Sequence, residues 1–317
     1  GANGNDEAGA PSHGYSFSGS GSAYIFKRDG TSWIEQQKLT ADDADPGDNF
    51  GFSVSIDGDY AIVGASFDFN NSSIFSGSAY IFKRDGTSWS QQQKLIASDA
   101  DYDNRFGTSV SIDGDYAIVG ADGDDGGSGS AYIFVRSSTT WTEQQKLTAS
   151  DATAPGDSLG ISVSISGDYA IVGAVGNDDK GSDSGGAYIF SRSGTTWNMQ
   201  HKLYPHYYEG PSLIGPGARF GQSVSIDDEY VLVGAPGHNS GSGGALLFKR
   251  GAFWSSTSWE LVSSFYASDE NSGDWFGHSV DLGGRHAIVG APYNDDDGTN
   301  SGSAYLFQSV TIPSSLP

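Results

Sequence analysis

The chain has 317 residues and a formal net charge of −23, from 16 Lys and Arg against 39 Asp and Glu, with 46 Gly, 7 Trp, one Met and no Cys. Lacking cysteine, it has no disulfides, thiolate nucleophiles or thiolate-bound metals, and the redox compartment is left open. Charge this acidic repels nucleic-acid phosphates and anionic membrane surfaces, leaving cations, neutral glycans and basic proteins as tolerable partners.

Hydrophobic residues make up only 36% of the chain, yet 13% aromatics and regular Val/Ile runs mark a folding sequence. The length suits one large repeat array or two ordinary domains. No apolar stretch approaches the ~18 residues of a membrane helix, so no membrane insertion is expected. Residues 1–20 lack the basic and apolar regions of a signal peptide.

In chain order, a Gly/Ser-rich stretch leads into Ala23-Tyr24-Ile25-Phe26 and then Trp33. The segment from Gly51 to Ala65, GFSVSIDGDYAIVGA, returns almost unchanged from Gly107 and again from Gly160, Gly221 and Gly277, at spacings of 56, 53, 61 and 56 residues. Ala-Tyr-Ile-Phe or a close variant begins at Ala23, Ala79, Ala131, Ala187, Ala245 and Ala304. A third element, Trp followed by Gln-rich residues and Lys-Leu, begins at Trp33, Trp89, Trp141 and Trp197, with a degraded copy at Trp259.

Within one repeat, Phe50 to Ile56, Tyr60 to Gly64, Ser78 to Lys83 and Trp89 to Leu95 alternate with the period of a strand. Asp57-Gly58 supplies the positive φ of a tight hairpin turn. Four antiparallel strands in about 50 residues, repeated without helical periodicity, predict an all-β fold: a β-propeller of four-stranded antiparallel blades. Six blade positions are visible, for six or seven blades in all, with the terminal blades incomplete. The expected organisation is a single propeller over 1–317, with a partial first blade at 1–49. Full repeats follow at 50–105, 106–158, 159–219 and 220–275, and 276–317 holds the last blade and a tail in which Val310-Thr311-Ile312 serves as a weak fourth strand.

Phe50-Gly51 through Val63-Gly64-Ala65 and their counterparts resemble the FG-GAP repeats of integrin α-chain propellers and secreted FG-GAP proteins, and Gly234-Ala235-Pro236 and Gly290-Ala291-Pro292 carry the full Gly-Ala-Pro ending. The resemblance implies that Phe-Gly opens the innermost strand, Gly-Ala-Pro closes the second, and the Trp stretch is outermost. Leu159 replaces the Phe in the third copy, which predicts different packing at that blade junction. Integrin-like blades often carry a DxDxDG calcium loop between the first two strands; here that connection is only Asp57-Gly58 or its equivalent, so the usual site is absent.

Acidic residues have collected elsewhere. One series is Asp122, Asp124 and Asp125; Asn177, Asp178, Asp179 and Asp183; and Asn294, Asp295, Asp296 and Asp297. A second precedes the Phe-Gly pairs: Asp43, Asp45 and Asp48; Asp99, Asp101 and Asp103; Asp269, Asn271 and Asp274. Calcium takes six to eight oxygen ligands, which clustered Asp and Asn on Gly-rich turns can supply, so these loops are candidate calcium ligands, and no other cofactor is expected. Solvated loops that keep a Gly-rich surface soluble are the plainer alternative.

The regularly placed Trp residues are expected to pack between blades or strands rather than to stack on sugars. Segments that break the repeat are better candidates for ligand or partner contact: Phe67, Phe69 and Phe75; Tyr204, His206, Tyr207 and Tyr208; and Phe253 and Trp254. Asn70 and Asn71 begin overlapping N-x-Ser acceptors for glycosylation in a loop expected at the surface. No HExxH, GxSxG or Walker-type loop appears, so a non-enzymatic protein is expected.

The leading expectation is an extracellular or cell-surface adhesive or structural module that binds proteins or glycans through its loop-rich face. The alternatives are a carbohydrate-binding lectin, a filament or surface-layer subunit that self-associates through incomplete terminal blades, and, last, a glycan-active enzyme using a carboxylate pair.

Overall fold

Val, Ile and Tyr alternating with Ser and Asp fix short strands, and the Asp-Gly or Ser-Gly pairs between them turn each strand back on its predecessor. The computed structural model describes residues 19–69, 75–152, 155–203, 214–251, 257–284 and 286–308. The architecture is all-β and of the β-propeller class, built from antiparallel sheets whose strands neighbour one another in chain order. The chain divides into two compact units, 1–148 and 149–317.

The first unit begins with a hairpin of β1 (Ala23–Asp29) and β2 (Ser32–Leu39). A four-stranded sheet follows, made of β3 (Phe50–Asp57), β4 (Tyr60–Ala65), β5 (Ser78–Asp85) and β6 (Ser88–Leu95). Another is made of β7 (Ser109–Asp113), β8 (Tyr116–Ala121), β9 (Ser130–Ser137) and β10 (Thr140–Leu147).

The second unit holds two four-stranded sheets. One comprises β11 (Leu159–Ser166), β12 (Tyr169–Ala174), β13 (Gly186–Ser193) and β14 (Thr196–Leu203). The other comprises β15 (Ser223–Asp227), β16 (Tyr230–Gly234), β17 (Ala245–Arg250) and β18 (Trp259–Phe265). A three-stranded sheet of β19 (Ser279–Gly283), β20 (His286–Ala291) and β21 (Ser303–Gln308) completes it. The segment expected as a weak fourth strand, Val310 to Ile312, lies outside the described residues.

The repeat's sequence signature is a seam between neighbouring blades. In the first unit, a Cβ added at Gly64 would lie 2.0 Å from the carbonyl oxygen of Gly107, so the Gly of Gly-Ala and the Gly of the next Phe-Gly touch backbone to backbone. Ser53 Oγ donates to that same carbonyl at 2.8 Å, and Ser55 Oγ and Asp57 Oδ2 accept from the backbone N–H groups of Ile112 and Gly114 at 3.2 and 2.9 Å. The second unit repeats the arrangement, Gly173 against Gly221 and Gly234 against Gly277. Ser162 and Ser223 donate to the glycine carbonyls at 2.8 and 2.9 Å.

The phenylalanines of the Phe-Gly pairs, Phe50, Phe106, Phe220 and Phe276, are fully buried and meet third-strand rings edge-on, as Phe106 meets Tyr132 and Phe134 at 5.5 and 5.9 Å. Leu159 takes the same place with full burial and pairs with Ala174 as Phe50 pairs with Ala65. The departure expected there is confined to the loss of an aromatic ring, while the register is kept.

Trp89, Trp141, Trp197 and Trp259 are buried. The glutamines of the preceding blade's outer strand hold two of them: Gln37 and Gln93 each exchange two hydrogen bonds with the backbone of Trp89 and Trp141, at 2.7 to 2.8 Å. Trp33 is the exception. It is 68% exposed, and Phe26 on β1 and Phe52, Val54 and Ile56 on β3 of the next sheet are exposed too, whereas Trp141 is 2% exposed. In the second unit, Ile288 and Leu306 are exposed where Ile171 and Ile189 are buried. Two single helical turns, α1 (Asp124–Gly127) and α2 (His238–Gly241), interrupt the second-to-third connections of their blades and were not expected from a repeat without helical periodicity.

Candidate functional site

The outer strands β6, β10 and β14 end in a Lys-Leu pair, and antiparallel register sets that lysine opposite a third-strand tyrosine: Tyr80 opposite Lys94, Tyr132 opposite Lys146, Tyr188 opposite Lys202. Each ammonium lies over its tyrosine ring, 5.3, 5.6 and 5.0 Å from the centroid. Two loops then bring acids to it, one entering the blade and one joining its second and third strands.

Lys94 Nζ sits 2.6 Å from both Asp43 and Asp68. Lys146 Nζ is 2.7, 2.6 and 3.1 Å from Asp99, Asp124 and Asp125. Lys202 Nζ is 2.7 Å from Asp151, pairs with Asp179, and donates to Asn177 Oδ1 at 3.1 Å. Tyr132 completes its cluster by donating to Asp99 at 2.8 Å and to Asp124 at 2.9 Å.

The electrostatics follow from this geometry. Burial by itself would disfavour the charged forms of Lys94, Lys146 and Lys202, but hydrogen bonds to the paired carboxylates outweigh it and hold all three ammoniums above the usual lysine range. The same contacts overcome burial at Asp43, Asp99 and Asp151 and hold them below the usual carboxylate range. Tyr80 and Tyr132 are pushed up, first by burial and then by the acids beside them.

Six of the candidate calcium ligands, Asp43, Asp99, Asp124, Asp125, Asn177 and Asp179, therefore surround a lysine instead. A donor set that already holds an ammonium at 2.6 to 2.7 Å does not fit a divalent cation at the same point. Among the described residues, no group of three or more His, Asp or Glu side chains is arranged to hold a metal ion.

The remaining candidate ligands mostly shape their own loops. Asp122 is buried, with Arg105 3.6 Å away, and burial raises it against that charge; Arg105 also pairs with Asp103 at 3.0 Å. Asp101 accepts from the N–H of Tyr102 at 2.7 Å, Asp178 from that of Asp183 at 2.8 Å, and Asp295 from that of Asn300 at 2.6 Å. Asp45 N–H donates to Asp48 at 2.7 Å and Asn271 N–H to Asp274 at 2.9 Å, the same turn in two repeats. Asp297 is exposed.

Two blades depart from the cluster. In the sheet β15–β18, Leu246 and Ser264 replace the tyrosine and lysine, and His238, which burial holds below the usual histidine range against the pull of Glu270, replaces the acid. In the sheet β19–β21, Tyr305 donates to Asp269 at 2.7 Å. Asp269 is held low by a hydrogen bond with Asp296, which is raised by that same contact.

Of the repeat-breaking aromatics, Phe69 and Phe75 come together at 3.6 Å between ring centroids, joined by a short antiparallel bridge, and Tyr102 meets Phe75 edge-on at 6.3 Å. They are 40%, 37% and 67% exposed. Phe67 is half-buried, and its N–H donates to the carbonyl of Asp48 at 3.3 Å. Tyr102 was missed in the sequence; the available signal is that Tyr-Asp at 102–103 stands where the preceding repeat has Pro46-Gly47. Tyr204, His206, Tyr207, Tyr208, Phe253, Trp254 and the acceptors Asn70 and Asn71 lie outside the described residues.

A chain of tandem blades, sealed by glycine contacts and tied by lysine clusters, defines a β-propeller repeat protein. The FG-GAP repeat model matches residues 33–82, 89–134, 141–190, 214–248 and 259–307, well over half of the sequence, and the chain belongs to the FG-GAP repeat family. Four of the five matches begin at the outer-strand tryptophan of one blade, and all five end in the third strand of a blade, so the sequence unit straddles two sheets. No curated protein matches the chain. Among the described residues, no helix is long and apolar enough to cross a membrane.

Proposed function

We propose that the protein is an extracellular, non-catalytic binding module that recognises a protein or glycan through the loops entering its blades and joining their second and third strands. The observation that carries this reading is the exposed trio Phe69, Phe75 and Tyr102, in a fold that, Trp33 and Phe26 of the first hairpin apart, buries the Trp and Phe of its repeated strands. Exposed rings gathered from two loops bury apolar area on contact with little side-chain entropy to lose.

The test replaces all three with Ala and screens wild type and variant against a glycan array and a panel of purified extracellular proteins. Loss of a saturable wild-type interaction at an unchanged unfolding midpoint supports the reading, whereas unaltered binding overturns it. If the ligand is a defined sugar, the protein is a lectin; glycan turnover abolished by neutralising one carboxylate pair would instead make it an enzyme. Glycosylation at Asn70 or Asn71 would place a glycan beside this trio in sequence. Calcium enters this reading only as a condition of the screen, run with calcium and with EGTA.

A second reading, self-association, is favoured by the exposure of Trp33 and Phe26 on the β1–β2 hairpin, of Val54 and Ile56 on β3, and of Ile288 and Leu306 on the sheet β19–β21. Counterparts inside the first unit pack against a neighbouring repeat, as Trp89 and Phe82 do with Ala23 and Leu39 and as Ile112 does with Ile62 and Ile81, so the partner of matching chemistry is another FG-GAP blade. Six or seven blades would then be completed by further repeats or by a second copy.

A further inference from the structure

In four of the five repeats the residue two places before the Phe-Gly pair, or before Leu159-Gly160, and the third residue after Gly-Ala are a polar pair carried by two loops; the fifth has Ala218 and His238 there. Asn104 Nδ2 donates to Asp124 Oδ1 at 2.8 Å, and Asn294 Nδ2 donates to Asp274 Oδ2 at 3.5 Å. The pair at 157 and 177 is again one acid and one amide, both buried. In these three repeats a carboxylate is matched with an amide. The pair Asp48 and Asp68 has two acids instead, 1% and 2% exposed.

Asp68 Oδ2 is engaged by Lys94 at 2.6 Å and Tyr80 at 3.1 Å. Asp48 Oδ2 accepts from the N–H of Asp45 at 2.7 Å, and its Oδ1 is buried with no hydrogen-bond partner. One cation, Lys94, therefore stands among Asp43, Asp48 and Asp68, and it bonds only the first and the last.

We propose that Asp48 is held as the neutral carboxylic acid and shares its proton with Asp68, taking the role of the amide in the sister repeats and making a pH-sensitive clamp between the loop entering this blade and its β4–β5 loop. Two buried carboxylates at positions that hydrogen-bond to one another in the sister repeats cannot both ionise without a large penalty, and a shared proton removes one charge while supplying the missing donor. Burial, then the charges of Asp68 and Asp45, push Asp48 up to about 7 against the opposing pull of the Asp45 N–H and Lys94. The groups facing it are thus Asp45 on its own loop, Asp68 on the β4–β5 loop and Lys94 on β6, with Tyr80 on β5 and Asp43 reached through them. The loops already meet through the Phe67 N–H on the Asp48 carbonyl, so a change of charge at Asp48 acts directly on that contact.

The sign follows from linkage. The folded-state pKa of Asp48 lies above the unfolded value, so its contribution is complete below about pH 4 and is lost as pH rises through about 7. The test is urea unfolding of wild type and Asp48→Asn at about pH 5 and about pH 8, with ¹³C NMR titration of the Asp48 carboxyl in the wild type. The expected result is that the folded-to-unfolded ratio of wild type falls about tenfold or more relative to Asp48→Asn over that interval, with the Asp48 carboxyl ionising near neutrality.

Parallel stabilities of the two proteins, or a carboxyl already ionised at about pH 5, would overturn the proposal. Should Asp48→Asn not fold, the wild-type titration decides alone. Calcium chloride at about pH 8 provides a separate arm: stabilisation of wild type that Asp48→Asn lacks means a metal, and not a proton, bridges the pair, and also overturns it.

Discussion

Lys146 shows how one side chain can close a structure around itself. Its ammonium lies over the Tyr132 ring and meets an acid from each of two separate loops. Asp124 is almost wholly buried while Lys146 and Asp99 keep partial access to water, so the net worth lies between that of a buried pair and a surface pair. Lys146→Met should cost about 2–3 kcal/mol in urea denaturation near neutral pH, mainly by leaving Asp124 unpaired. Asp99 is held below its unfolded value, so this stabilisation is present above about pH 4 and lost as pH falls through the folded pKa of Asp99. Stability curves of wild type and variant should therefore converge in acid, and a gap that persists to about pH 2 would contradict the ion-pair account. The sequence displayed the Lys-Leu repeat and the acidic loops as separate patterns. Their union was not legible, because it depends on which loop ends antiparallel register brings to the lysine.

The strands themselves were legible almost to the residue. Period-two alternation gave Phe50 to Ile56 and Tyr60 to Gly64, and the strands run Phe50–Asp57 and Tyr60–Ala65. Asp57-Gly58 forces its turn locally, so no distant contact had to be known. What the pattern concealed was the reason for the second glycine. Gly173 has an ordinary backbone conformation but no room: an added Cβ would sit 2.0 Å from the Gly221 carbonyl oxygen. Gly173→Ala should therefore lower stability by at least about 3 kcal/mol as neighbouring sheets are forced apart. Gly167, at the hairpin turn with φ +56, has open space around it, so Gly167→Ala should cost only about 1–2 kcal/mol from backbone strain. Equal losses in a thermal or urea comparison would rule out the close-contact explanation. The outward-facing Trp33 was illegible for a related reason: the same tryptophan is core or surface depending on what lies across its face, which local sequence does not encode.

A net charge of −23 on a 317-residue chain raises a long-range barrier to like copies approaching one another. Exposed apolar faces and mutual repulsion then act in opposition, and salt tips the balance by screening the repulsion over roughly 10 Å at about 0.1 M. Light scattering coupled to size exclusion should show association that increases with protein concentration and with salt. Trp33→Ser should weaken it while leaving the unfolding midpoint nearly unchanged, since the indole is mostly exposed. A single species near 33.2 kDa at every concentration and salt level would dismiss the self-association reading. Partner recognition through Phe69, Phe75 and Tyr102 would be untouched by that outcome, because those rings belong to different loops.

The offset between the matched sequence unit and the blade has a consequence for how such chains change length. A tandem duplication of a segment such as 89–134 copies the outer strand of one sheet together with the first three strands of the next, and so copies the apolar contact between them, in which Leu95 and Ala97 share a core with Phe106, Val119 and Phe134. Each added copy arrives with its own adhesive joint already written in, and deletion of one removes a joint together with its sheet. Growth by whole joints spares the lineage the task of inventing a new surface match at each step, which leaves the loops free to diverge.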